Sequence, residues 1–258
     1  MMNSIKYIFS NIGNTPTVTI NSAFNKNKKL LLKLENKNPS GTIKDRLARI
    51  IINNNLDEHF FIDSSIGNFA ISLSWLASLT EKKAIFVVNK NFDLYNLERI
   101  KAYGGDLIFS DEKDQLELSH LAKEIAIENG YYYCGQYFNS AYESLLGKEI
   151  VDEIRLLEFD SIFSYYGSGG IINGINKNMP RKVTMVQVVP DMIPSIKSSN
   201  SYHKKHINME LINDIQSYLL KKCGIHAGTI GSANTAAAML MLEEEKVFEP
   251  LVLISDSR

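Results

Sequence analysis

No run of apolar residues in this sequence approaches the ~20 needed to cross a bilayer as a helix. The N-terminal stretch MMNSIKYIFSNIGNTPTV has no basic region followed by a long apolar core, so a cytoplasmic protein without a membrane partner is expected. Cysteine is scarce. Cys134 and Cys223 are the only two; they lack metal-ligand spacing and can form at most one disulfide, which excludes a disulfide framework and fits free thiols in a reducing compartment. Neither sign of charge is in excess: 28 Lys and Arg against 29 Asp and Glu leave a net −1, giving no electrostatic reason to expect nucleic acid or an anionic membrane. The five histidines suggest no metal site, since His203 and His206 flank two lysines in a polar stretch read as a solvated loop and the others are scattered. Repeats, low-complexity tracts and Pro/Gly-rich linkers are also missing. Small-molecule chemistry is what remains.

What is present is apolar material in regular order. A hydrophobic fraction of 45% over 258 residues supports one large domain or two sub-domains sharing a cleft. After a short N-terminal helical piece and a turn at Gly13 to Pro16, strands are expected at 17–20 and 30–35. Further strands are expected at 60–64, 84–89 and 106–110, then 162–166, 183–189 and 251–255, with helices between them, one of which starts at Leu145 and ends near Glu158. Strands alternating with helices through short links imply an α/β protein with two parallel sheets.

Four segments carry side chains suited to chemistry. In NPSGTIKDR (residues 38–46), Pro39 and Gly41 make a turn, Thr42 can cap a helix beginning at Ile43, and Lys44 falls in its first turn. The positive end of the helix dipole favours the neutral amine that a Schiff-base nucleophile needs; a solvated first-turn lysine is the plain alternative. In DSSIGNFA (63–70), Ser65, Gly67 and Asn68 lie between a strand and a long helix, where amides and hydroxyls suit an anion or simply cap the helix. In YYGSGGIING (165–174), Gly167, Ser168, Gly169 and Gly170 let backbone N–H groups converge on a phosphate. A dinucleotide loop competes there, although the spacing is not GxGxxG, and so does a structural tight turn. In GIHAGTIGSANTAAAML (from Gly224), Thr229 and Ser232 offer hydroxyls at the start of an Ala-rich helix, with Ser232 also readable as its cap.

Together these segments resemble, in order, those of the cysteine synthase and cystathionine β-synthase family of pyridoxal phosphate enzymes, of fold type II and tryptophan synthase β-like architecture. The resemblance places Lys44 at the family's Schiff-base lysine, and Asn68 beside the cofactor ring. It places Ser65, Gly67 and Asn68 in the loop for the substrate carboxylate, which Gln136 of GQYFNSA also reaches, and Gly167 to Gly170 in the phosphate cup. The GNTP turn is shared. Departures are specific: Ile66 and Ile171 stand where the family has hydroxyls, and Ile230 or Gly231 stands where a serine meets the pyridine nitrogen, leaving Thr229 or Ser232 to substitute. The stretch between Pro190 and Gly224 is shorter than the family's, and ISDSR (254–258) matches only the start of a longer family segment.

The resemblance implies a larger cofactor-binding domain of residues 1–35 and 144–258, a smaller inserted domain of residues 36–143 carrying the carboxylate loop, and the cofactor between them. A homodimer is implied as well. The implied activity is β-replacement on an activated serine, O-acetylserine or O-phosphoserine, by a small nucleophile. The run NLERIKAYGGDL (96–107) looks somewhat like that of 2,3-diaminopropionate synthases. The rival expectation is a catalytically silent paralogue acting as a binding or regulatory subunit.

Overall fold

The computed structural model describes residues 2–91, 94–191, 193 and 201–257. Residues 192 and 194–200, within the stretch shorter than the family's, lie outside the described residues. The chain divides into two compact units, one of Met1–Ile12 with Lys44–Tyr142 and a larger one of Gly13–Ile43 with Glu143–Arg258. Compared with the sequence-based boundaries, the N-terminal helix α1 (Met2–Ser10) goes with the smaller unit and residues 36–43 with the larger.

The smaller unit holds α2 (Lys44–Asn54), β3 (Phe60–Asp63), α3 (Asn68–Leu79), β4 (Lys83–Asn89), α4 (Leu94–Ala102), β5 (Asp106–Ser110), α5 (Gln115–Asn129) and β6 (Tyr132–Tyr133). Its four strands run parallel in the order β5-β4-β3-β6. A parallel sheet is covered on both faces, which is why FFID and KAIFVVN read as continuous apolar runs rather than alternating ones. On one face Ile62, Ile85 and Val87 pack with Leu118, Ala122 and Ala126 of α5. Asp114 fixes where α5 begins by accepting from Leu116 N (2.8 Å) and Glu117 N (3.1 Å), and Gly130 ends it at φ 69°. Ser72 Oγ donates to the buried Asp45 at 2.6 Å and ties α3 to α2.

The larger unit holds β1 (Thr17–Asn21), β2 (Lys29–Lys33), β7 (Ser161–Tyr165), α7 (Gly170–Asn178), β8 (Thr184–Pro190), β9 (His203–Ile207), α8 (Met209–Cys223), α9 (Thr229–Glu243) and β10 (Pro250–Leu253). The helix α6 (Ser140–Ile154) leads into it, starting five residues before the expected Leu145. The sheet order is β1-β2-β10-β7-β8-β9; β1 pairs antiparallel with β2 and the remaining neighbours are parallel. The polar stretch around His203 and His206 is therefore a strand, not a solvated loop. As β9 it pairs with β8 at the sheet's edge, and edge strands carry lysines and other polar residues because one side faces water. The Ala-rich α9 is buried almost all round among β2, β7, β8, β10 and α8, as expected of a helix without a polar face.

Two devices fix the path of residues 13–43. The Glu35 carboxylate accepts from Thr15 Oγ1 (2.7 Å) and Asn38 Nδ2 (2.9 Å), while Asn38 Oδ1 accepts from Gly13 N (2.8 Å), so the GNTP turn and the NPSG turn are held by the same side chains. The segment then runs beside the chain that comes after β10. Asn36 N donates to Ile254 O (2.8 Å), Ile43 N to Ser255 O (2.9 Å) and Ser257 N to Gly41 O (3.1 Å), and Thr42 bridges Asp256. At φ 88°, with Ser257 Oγ only 2.5 Å from where a Cβ would stand, position 41 requires glycine.

Candidate active site

In the smaller unit the candidates gather where β3 ends. Lys44 is the first residue of α2, so the helix starts one residue later than expected and Thr42 lies outside it, in the bridge with Asp256. Its amine is held down to about 8, because burial strips water from the ammonium; the nearby Asp63 carboxylate opposes that shift. Near neutral pH Lys44 thus exchanges its proton readily, which a nucleophilic or proton-transferring amine requires. The loop from Ser64 to Gly67 comes directly after β3. Ser65 is buried and its hydroxyl accepts weakly from Gly67 N (3.4 Å), Gly67 is exposed, and Asn68 opens α3. Gly67 holds the N-cap position of α3, and Ser65 rather than Ser64 supplies the hydroxyl that meets its amide.

Gln136 joins this group from the loop after β6. Its Nε2 donates to Ser64 O (3.2 Å), the same carbonyl that accepts from Gln115 Nε2 (3.2 Å), whose amide also donates to Ser64 Oγ (2.6 Å). One of the amide's two N–H bonds is thus engaged within the protein, and the other has no partner among the described residues. Sequence reading missed Asp63. It is fully buried, and its carboxyl is pushed up to about 7 by burial, which the amides of Gln136, Ser64 and Gly135 and the Lys44 charge partly offset. The available signal was an acid closing the otherwise apolar strand FFID.

In the larger unit β7 and β10 are parallel neighbours, so the segments leaving them lie at one carboxyl edge of the sheet. After β7 come Gly167 (φ 54°), Ser168, Gly169 (φ 84°) and Gly170, the first residue of α7. Gly169 N donates to Tyr166 O (2.7 Å) and closes the turn, so this amide is not free for a phosphate. The amides of Gly170, Ile171 and Ile172, in the first turn of α7, have no intrahelical acceptor and point along the positive end of its dipole. A Cβ at Gly169 would sit 2.7 Å from the Tyr166 hydroxyl and 2.9 Å from Asn173 Nδ2. After β10, Asp256 braces the start of α9, accepting from Gly231 N on Oδ1 (3.2 Å) and from Gly228 N on its carbonyl (2.9 Å). Thr229 is half-buried at the first position of α9. Ser232 is not the helix cap; Gly228 is, and Ser232 lies inside the helix with its Oγ buried and without a hydrogen bond among the described residues.

A protein-family model described as "Pyridoxal-phosphate dependent enzyme" matches residues 8–249. A cysteine synthase of Flavobacterium sp. is 28% identical over 204 residues, covering 73% of this chain and 66% of that protein. A cysteine synthase of Staphylococcus aureus is 26% identical over 190 residues, covering 69% and 61% respectively. The chain thus matches about two thirds of the length of these relatives. Among solved structures, O-ureido-L-serine synthase superposes with a TM-score of 0.82 at 20% identity, covering 96% of this chain and 90% of that one. A hydrogen sulfide-producing enzyme from Fusobacterium nucleatum superposes at 0.81 and 20% identity, with 97% of each chain covered. These two likenesses bear on the fold. With the family model spanning nearly all of its length, the chain belongs to the pyridoxal-phosphate dependent enzyme family.

Proposed function

We propose that this chain binds pyridoxal phosphate through Lys44 and carries out β-replacement on an activated serine, O-acetylserine or O-phosphoserine, with a small nucleophile, in the manner of a cysteine synthase or a 2,3-diaminopropionate synthase. The observation that carries this reading is the buried Lys44 amine at the head of α2, held at about 8 within electrostatic reach of Asp63, the residue that ends β3 ahead of the loop of Ser65, Gly67 and Asn68. The residues fit the cofactor on their own chemistry. At φ 84° a side chain on Gly169 would be strained and would press on the Tyr166 hydroxyl and Asn173 Nδ2, and the first-turn amides of α7 suit a phosphate. The buried Ser232 hydroxyl lacks a partner among the described residues, and with Thr229 it is the hydroxyl available for the pyridine nitrogen. Pyridoxal phosphate, when bound, supplies an electron sink for bonds at an amino acid's Cα.

The chain's own groups do the rest. Lys44, neutral above about pH 8, takes the proton from Cα and returns it. Asn68 orients the cofactor ring. The hydroxyl of Ser65, the amides of the loop and the remaining N–H of Gln136 hold the substrate carboxylate. Ile66 removes one hydroxyl donor from that set; losing one such donor typically costs about 3 kcal/mol, roughly a hundredfold in rate, so slow turnover is expected. The direct test is an absorption spectrum of the purified protein with added pyridoxal phosphate, repeated on Lys44→Ala and then with each serine derivative. A visible band in the wild type, absent in the variant and altered by O-acetylserine or O-phosphoserine, supports the proposal. A protein that takes up no cofactor sinks it; one that takes up cofactor but answers neither derivative is the silent paralogue instead.

A further inference from the structure

Asp63 has an arrangement that the chemistry above does not use. It closes β3, is fully buried, and holds both carboxylate oxygens to backbone amides: Oδ1 accepts from Ser64 N (2.7 Å) and Oδ2 from Gln136 N (3.0 Å). The neighbouring amide, that of Gly135, also points at the carboxylate. Gly135 stands at φ 63°, and this left-handed residue turns two successive N–H groups towards one acceptor, the geometry of an anion-binding nest. The nest is filled by the protein's own acid. Gln136 Nε2 returns to Ser64 O, so the contact between the two loops is reciprocal, and Gln115 from the start of α5 holds Ser64 from a third side.

The charged and titratable neighbours that sense this carboxylate are Lys44 of α2, Tyr133 of β6 and Cys134 just after it. Burial raises both Tyr133 and Cys134, with Asp63 adding to it and the Ser119 hydrogen bond opposing it at Tyr133, so both stay neutral, and Lys44 is the cation among the described residues that acts on Asp63. One acid therefore touches both backbone segments that carry carboxylate-binding groups and also acts on the amine.

We infer that Asp63 is a positioning residue, a clasp that locks the Ser64–Asn68 loop to the Gln136 loop through both of its carboxylate oxygens. The assignment of these loops to a substrate carboxylate rests on the function proposed above; the clasp and its action on Lys44 do not. A buried carboxylate that only stabilised the fold would change the melting temperature and nothing else.

The test uses Asp63→Asn, which keeps the size and one acceptor oxygen but loses the charge, with Asp63→Glu as the variant that retains the charge. In cofactor-free protein, labelling of Lys44 by an amine reagent is followed by mass spectrometry against pH. The expected result is a midpoint displaced downward in Asp63→Asn, giving roughly threefold faster labelling at pH 7, and restored by Asp63→Glu. Amide exchange at Ser64, Gly135 and Gln136, read by NMR, should accelerate together by about tenfold or more, while amides of β4 stay protected. In cofactor-loaded protein the KM for the serine derivative should rise more than kcat falls. Unchanged Lys44 labelling together with unchanged exchange overturns the inference whether or not the protein binds cofactor. If Asp63→Asn does not fold, wild-type exchange decides: protection of these three amides falling together as pH drops from 8.5 to about 5.5 supports the clasp, and flat protection overturns it.

Discussion

At the scale of single residues, Lys44 shows how a buried amine is held at a cost in stability. Its ordinary pKa of 10.5 falls to about 8 because burial disfavours the ammonium more than the nearby Asp63 favours it. A folded-state pKa below the unfolded value means that the fold is penalised at pH 7, where the lysine is protonated in both states. The penalty fades as pH rises from 8 to 10.5 and the folded amine gives up its proton first. Lys44→Met should therefore stabilise the cofactor-free protein against urea at pH 7, with a gain that shrinks by pH 9.5. A variant less stable than wild type at pH 7 contradicts this. Lys33 is the contrasting case: it is also buried, but it meets Glu153 at 2.6 Å and Thr15 O at 2.5 Å. Lys33→Met leaves Glu153 without this partner in a largely buried setting, and removing one member of such a pair costs about 3–5 kcal/mol. Urea denaturation at neutral pH checks the value, and a loss below 1 kcal/mol would assign the pair no structural weight.

At the scale of elements, glycine does two different jobs. Where α6 meets α7, a Cβ on Gly147 would overlap the Gly174 carbonyl, and one on Gly174 would overlap the carbonyl of Glu143, so these helices pack backbone against backbone. Gly130, which ends α5 at φ 69°, has open space around it and is needed only for its conformation. Gly147→Ala should accordingly cost about 3 kcal/mol, the upper end for overpacking, because backbone cannot move aside as a side-chain tip can. Gly130→Ala should cost about 1–2 kcal/mol, the strain of a left-handed alanine. Denaturant titrations that rank the two in the opposite order would refute this reading of the packing.

At the scale of the whole molecule, the function proposed above makes cofactor binding visible in global stability. A ligand bound only by the folded state at about a hundredfold excess over its Kd adds roughly 2.7 kcal/mol. Pyridoxal phosphate should raise the melting temperature of the wild type. It should raise that of Gly169→Ala much less, because a Cβ there would meet Tyr166 and Asn173 and displace the turn before α7. Equal rises in both proteins would remove the glycine turn from the cofactor's site.

The sequence by itself determined the fold class and the position of the lysine. Runs such as KAIFVVN are apolar because a parallel strand is buried on both faces, and the turn before Lys44 is written in residues whose backbone freedom is a local property, Pro39 and Gly41. It could not determine features that depend on partners distant in the chain. The stretch HKKHI looks soluble and is a strand, because β8 supplies its ladder on one side only and the other faces water. Ser232 looks like a cap and lies inside a helix, because Asp256, 25 residues after Gly231, bonds Gly231 and Gly228 and sets where α9 begins. Asp63 looks like the end of a strand. Its role arises when a loop 73 residues away folds its amides onto the carboxylate, and burial then raises its pKa and reaches Lys44. Periodicity and turn chemistry act over a few residues and can be read in order; desolvation and charge act through space, and only the tertiary structure decides which groups share it.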